Sequence, residues 1–168
     1  MPIHITSELI LKLFFLCILF YITWTDLKYR IIPNRCVIAA IFIRFLYFMI
    51  TGEGDWRAFF WLVFNGFIVS IPVFLLTFIL ETLLKKAVLG GGDIKLLFVL
   101  GLYLGLEKCL LMLLIACILS IIGTVITMIK SKDGTAETFP FGPYLAAGSA
   151  VALLFGDVIM TAYLSLLK

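Results

Sequence analysis

Apolar residues run through this chain in long unbroken blocks. They do not alternate as in half-buried strands, nor do they form the one-sided stripe of a soluble amphipathic helix. Six blocks can be drawn, at about 9–25, 36–51, 58–80, 94–106, 109–129 and 144–167. Crossing the hydrocarbon of a bilayer takes about 20 helical residues, so the fourth block is too short as drawn. It is expected to begin earlier, through Ala87-Val88-Leu89 and the glycines after them, or to enter from a cavity that water reaches. Non-helical backbone at membrane depth is tolerated only where protein or water satisfies it. The expected fold is an all-α polytopic membrane protein with six transmembrane helices, forming one integral-membrane domain over 1–168.

Composition agrees with this pattern. The 168 residues are 64% hydrophobic with a mean hydropathy of +1.22, and only 14% are charged, against about a quarter in soluble domains. Barrel strands would alternate over about ten residues, which these blocks do not. A net charge of +3, scattered along the chain, does not suggest a nucleic-acid partner; the partner it implies is the lipid bilayer. Glu8 and Lys12 interrupt the start of the first block and no small-residue cleavage pattern follows it. The block is therefore read as a retained span, with Lys12 snorkelling, and not as a cleaved signal peptide. Cys17, Cys36, Cys109 and Cys117 contain no C-x-x-C pair and have only His4 as a possible companion, so no zinc site is expected.

The charges have a side. Loops after the first, third and fifth blocks hold Lys28, Arg30, Arg35, Lys85, Lys86, Lys95, Lys130 and Lys132, eight in all; the other side holds four, Lys12, Arg57, Lys108 and Lys168. Short cytoplasmic loops carry the Lys/Arg excess. This places the first set in the cytoplasm and both termini outside it. Parity then puts Asp26, Asp93 and the segment Phe139-Pro140-Phe141-Gly142-Pro143 on one face of the membrane, since two complete spans separate each from the next.

Asp93 follows Gly90-Gly91-Gly92 at the mouth of an apolar block, and Asp26 ends an earlier one. A carboxylate near hydrocarbon is costly unless it faces protein or a wet cavity. Three glycines suit a regular helix poorly and let other chains approach closely. Two carboxylates a few ångströms apart share a proton and titrate as a pair. The ionised member can then take a proton from water while the protonated member polarises a carbonyl, which is amide hydrolysis without metal, cofactor or covalent intermediate. A serine or cysteine nucleophile would have to use His4, which the parity puts on the opposite face. A metal would find only Asp26 and Asp93 well placed, and hard cations want more oxygen ligands.

Other polar residues are less distinctive. Arg44, inside the second block, is read as structurally paired. Asn65 and Asp157 act as interhelical glue or line a polar path. Gly101-Leu102-Tyr103-Leu104-Gly105 has small-xxx-small spacing and is read as a close helix contact, and Glu137 as a solvated loop charge.

Three segments together resemble the type IV prepilin peptidases: Asp26 with Ile32-Pro33-Asn34, Gly90 through Asp93 with Lys95-Leu96-Leu97, and Pro140-Phe141-Gly142-Pro143 with Tyr144 through Gly148. Gly-x-Gly-Asp alone is a weak signal, whereas the three in order over nearly the whole chain form a specific one. The resemblance implies a GxGD-class aspartyl endopeptidase with Asp26 and Asp93 as its catalytic pair. Gly90, Gly91, Gly92, Lys95, Pro33, Asn34, Pro140, Gly142 and Pro143 would form the surrounding motif. It also implies prepilin or pseudopilin substrates, cut at the cytoplasmic face between a short basic leader and an apolar stem. The larger members carry paired C-x-x-C motifs and N-methylate the new terminus. Here 25 residues precede Asp26 and no C-x-x-C occurs, so the minimal, non-methylating form is expected. An archaeal preflagellin peptidase shares the chemistry. Outside the protease class, a small proton-coupled transporter or an inactive assembly scaffold are the alternatives, although a transporter would usually show internal repeats.

Overall fold

The computed structural model describes residues 2–51, 55–86, 88–130 and 140–166, with the side chains of 2–6 and 130 left aside. Ala87, Lys132, Glu137, Phe139, Leu167 and Lys168, together with the side chains of His4 and Lys130, lie outside the described residues. What is described is helical apart from short linkers, with no strand among the described residues. The elements are α1 (Pro2–Tyr29), α2 (Asn34–Thr51), α3 (Trp56–Leu84), α4 (Gly91–Lys130) and α5 (Gly142–Leu166). All five are long and apolar enough to cross a membrane, and large exposed side chains such as Phe20, Ile50, Phe60, Leu83 and Ile129 give the bundle the apolar exterior that lipid requires.

The expected count of six helices is corrected to five. The blocks at 94–106 and 109–129 belong to one element of 40 residues, interrupted only at Gly105 (φ 71°, ψ 176°). A straight helix of that length would reach about 60 Å, twice the roughly 30 Å of hydrocarbon. Instead α4 folds back on itself. Along α5, Gly142 meets Asp26, Tyr144 meets Gly123, Gly148 meets Met112 and Ala116, and Gly156 meets Lys108. Numbers that rise along α5 thus fall along the second leg of α4, which returns to the end where Asp93 starts the first leg. The start of the element also differs from expectation. Gly91 and Gly92 lie within the first helical turn, where backbone N–H groups have no intrahelical partner to lose.

Gly105 is the residue that permits the reversal. Its backbone angles fall in a region essentially confined to glycine, and a Cβ there would have nothing within 4 Å. The expected cost of Gly105→Ala is therefore torsional, about 1–3 kcal/mol. It should appear as a lower melting temperature in detergent, and an unchanged melting curve would remove Gly105 as the origin of the bend.

Two hydrogen bonds tie the chain beside the bend to α2. Arg44 Nε donates to the Leu102 carbonyl at 3.0 Å and Tyr103 Oη donates to the Ala40 carbonyl at 2.8 Å, while the Tyr103 ring stacks on Phe15 with centroids 3.7 Å apart. Arg44 is thus structurally engaged, as expected, with a backbone carbonyl near the bend as a partner. Gly101 keeps the close-contact role read from the sequence, since a Cβ there would stand 2.6 Å from Gly66 Cα and 2.7 Å from the Asn65 carbonyl. Its spacing partner Gly105 turns the chain. Asn65 is buried at this α3–α4 crossing, and Asp157 pairs with Lys108 at 2.8 Å, tying α5 to α4 just past the bend. Phe15, Leu19 and Ile22 of α1, Leu97 and Leu100 of the first leg, Met112 of the second and Leu145 of α5 form the core, on which both aspartate-bearing helix ends are set.

Candidate active site

The two acids arrive from opposite kinds of helix end. Asp93 stands in the first turn of α4, where its N–H donates to the Gly90 carbonyl at 2.9 Å; a helix N-terminus favours an acidic side chain. Asp26 stands in the last turn of α1, the end that disfavours one, by typically 0.3–1 kcal/mol at exposed positions. It is also buried, 6% exposed against 8% for Asp93. Its Oδ2 has no hydrogen-bond partner among the described residues and lies against Gly142, in contact with the position a Cβ would take. The end of its own helix disfavours the acid, while the N-terminus of α5, beginning at Gly142 beside the carboxylate, favours it.

Both carboxylates line two adjoining cavities, of about 330 and 210 Å³. The two cavities share Asp26, Arg30, Gly90 and Asp93. The larger continues along Ile31, Ile32, Asn34, Gly91, Gly92 and Lys95 and is the more cationic and polar. The smaller continues along Val88, Leu89, Pro140 and Phe141, all apolar, beside the charged residues it shares with the larger. The fold thus gathers three segments far apart in sequence around one pair of acids. Among the described residues, no group of three or more His, Cys, Asp or Glu side chains comes together to hold a metal ion.

The motif glycines divide by the space they leave. A Cβ on Gly90 would stand 3.2 Å from Asp93 Oδ2, one on Gly92 3.0 Å from Ile32 Cβ, and one on Gly91 would meet nothing within 4 Å. The outer glycines of Gly-x-Gly therefore allow close packing against the acid and the α1–α2 linker, while the middle one only faces the cavity. Lys95 Nζ donates to Asn34 Oδ1 at 3.0 Å, joining two motif segments 61 positions apart.

Two expected site residues play a different part. Pro33 lines neither cavity; its carbonyl accepts from Cys36 N at 3.0 Å and Val37 N at 3.4 Å, starting α2. Pro143 also lies away from the cavity walls, in the first turn of α5, where proline's missing N–H costs nothing. Among the lining residues, Arg30, Ile31, Val88 and Leu89 were not expected at the site, whereas Phe141 lies in the Pro140–Pro143 motif. The three apolar ones gave no signal, being indistinguishable from lipid-facing residues.

Comparison with known proteins bears on this geometry. The profile of the type IV leader peptidase family matches residues 13–125, well over half of the chain. The chain is similar to a prepilin leader peptidase/N-methyltransferase of Bacillus subtilis, 28% identical over 164 residues, covering 96% of this chain and 62% of that protein. A protein of the same name from Aeromonas salmonicida is 28% identical over 151 residues, covering 88% of this chain and 50% of its own length. One from Pseudomonas aeruginosa reaches 39% over 82 residues, covering 47% and 27%. The chain thus spans about half to three-fifths of the first two relatives. No solved structure gives a significant match. With the profile covering both Asp26 and Asp93, this multi-pass membrane protein belongs to the type IV leader peptidase family.

Proposed function

We propose that this chain is a membrane aspartyl endopeptidase that removes a short basic leader from type IV prepilin or pseudopilin-like precursors at the cytoplasmic face. The observation that carries the reading is the meeting of Asp26 and Asp93, 67 positions apart, on the shared wall of two cavities. Family membership supports it, as do the names borne by the relatives.

In the proposed reaction, one aspartate is ionised and the other protonated. The ionised carboxylate takes a proton from water as the water oxygen attacks the scissile carbonyl carbon. The protonated carboxyl donates to the carbonyl oxygen, giving a neutral tetrahedral diol. Collapse of the diol expels the amine, which receives a proton from the dyad, and the pair regains its single shared proton. The apolar side chains of Val88, Leu89 and Phe141 suit the stem side of a precursor.

The test is co-expression with candidate prepilins, followed by N-terminal sequencing and mass measurement of any shortened product. A single cut between leader and stem is expected, with an unmodified new terminus. A precursor left whole by every candidate combination would sink the peptidase reading. A methylated terminus formed by the purified chain with S-adenosylmethionine would instead overturn the non-methylating assignment alone.

A further inference from the structure

The linker after α1 contains a conformation its sequence does not advertise. Arg30 has φ 54°, in the left-handed region, and its N–H donates to the Asp26 carbonyl at 2.9 Å, closing the helix. Helices commonly end this way, but with glycine or asparagine in the position. Lys85, which ends α3, is the only other non-glycine residue with positive φ among those described, at 52°, with its N–H on the Glu81 carbonyl at 2.8 Å. The two caps share a backbone and differ in surroundings. Lys85 lines neither of the cavities that hold the aspartates. Arg30 lines both, at their junction.

A peptide offered for cleavage must be extended at the scissile bond, because a helical segment keeps its carbonyls in its own hydrogen bonds. Extension frees carbonyl oxygens that cannot be left unpaired near hydrocarbon. Several nearby donors are already engaged. Lys95 Nζ is held by Asn34, Val88 N by Glu81 Oε1 at 3.0 Å, and Asp93 N by the Gly90 carbonyl. Arg30 offers five N–H donors in a planar fork, exposed at the cavity mouths, and forms no ion pair within 4.0 Å among the described residues.

We infer that Arg30 is a substrate-binding residue of this site, holding the main-chain carbonyls beside the scissile bond of an extended peptide where the two cavities adjoin. This inference rests on the peptidase reading. It explains why arginine occupies a backbone position where glycine would be easier: the same left-handed turn that ends α1 sets Arg30 in the wall common to both cavities. Because it addresses main chain, the contact tolerates any side chain in the leader or stem.

Glycine substitution separates function from fold. Arg30→Gly suits the left-handed backbone at least as well as arginine, so its melting temperature in detergent should be equal or higher. Its cleavage of the prepilin processed by the wild type should fall on the order of 10²-fold in kcat/KM. Binding of that precursor to the Asp93→Asn chain should weaken when Arg30→Gly is added. Arg30→Lys should recover part of the loss, and Lys85→Gly, the same change at the matched cap, should cleave as wild type. Arg30→Asn repeats the test with the other residue favoured in this conformation. Wild-type kcat/KM in both Arg30→Gly and Arg30→Asn would overturn the role of Arg30. A wild-type chain that cleaves nothing would overturn the peptidase reading itself, so the two failures are distinct.

Discussion

Asp26→Asn and Asp93→Asn are each expected to stop precursor processing while leaving the chain folded and inserted. In the proposed reaction the two carboxyl groups exchange a single proton between water, carbonyl and leaving amine. An amide in either position can neither accept the proton nor donate it as a carboxylic acid does. General acid–base catalysis contributes about 10²–10⁴-fold, so the loss should fall at least in that range. Stability should move the other way or not at all. Asp26 is buried with one oxygen unpartnered, and it sits at the helix end that disfavours negative charge. A neutral isostere removes the buried charge but also its favourable place at the N-terminus of α5 beside Gly142, so the melting temperature should change little. The pilin band shift on a gel reads the first effect and a melting curve in detergent reads the second. An unchanged band shift in either variant would falsify the dyad.

Four alanine variants carry the second large effect, and they should split by the space around each glycine. A methyl group on Gly142 would collide with the Asp26 carboxylate and force that side chain to turn. Misplacing a reacting group by about 1 Å costs on the order of 10²-fold, so Gly142→Ala should approach the damage of losing the acid. Gly92→Ala would press on Ile32 Cβ at 3.0 Å, an atom fixed to the backbone of the α1–α2 linker, and Gly90→Ala on Asp93 Oδ2 at 3.2 Å. Both should slow cleavage clearly. Gly91→Ala meets nothing within 4 Å and should cleave at close to the wild-type rate. None of the four has positive φ, so close packing, not a glycine-only backbone, is the physical reason for them. Gly91→Ala as damaging as the others, measured at matched membrane levels, would reject that reason.

Much of this arrangement was legible along the chain. The apolar blocks marked the helices, and counting spans brought Asp26, Asp93 and Gly142 to one end of the bundle. Gly101-x-x-x-Gly105 shows where such reading stops. The two glycines look alike in sequence, yet Gly101 lets α3 approach closely and Gly105 reverses the chain. Which of these a glycine does depends on its neighbours in space. Arg30 is the converse case. A left-handed residue is expected from glycine or asparagine, so an arginine in that conformation gives no warning. Val88 and Leu89 could not be told from lipid-facing residues, because an apolar side chain reads the same whether it faces a bilayer or a cavity.

Hydrophobicity and charge therefore determined what this protein is made of: membrane-spanning helices, with two acids too costly to stand at their ends by accident. Those are properties of each residue's own transfer from water, and they need no partner to be read. Tertiary structure alone decided the rest: the fold-back at Gly105, the spare space around Gly91, the contact of Gly142 with Asp26, and the place of Arg30 between two chambers. Each of these is a relation between atoms far apart in the chain, fixed by packing and backbone torsion and not by the character of any one residue.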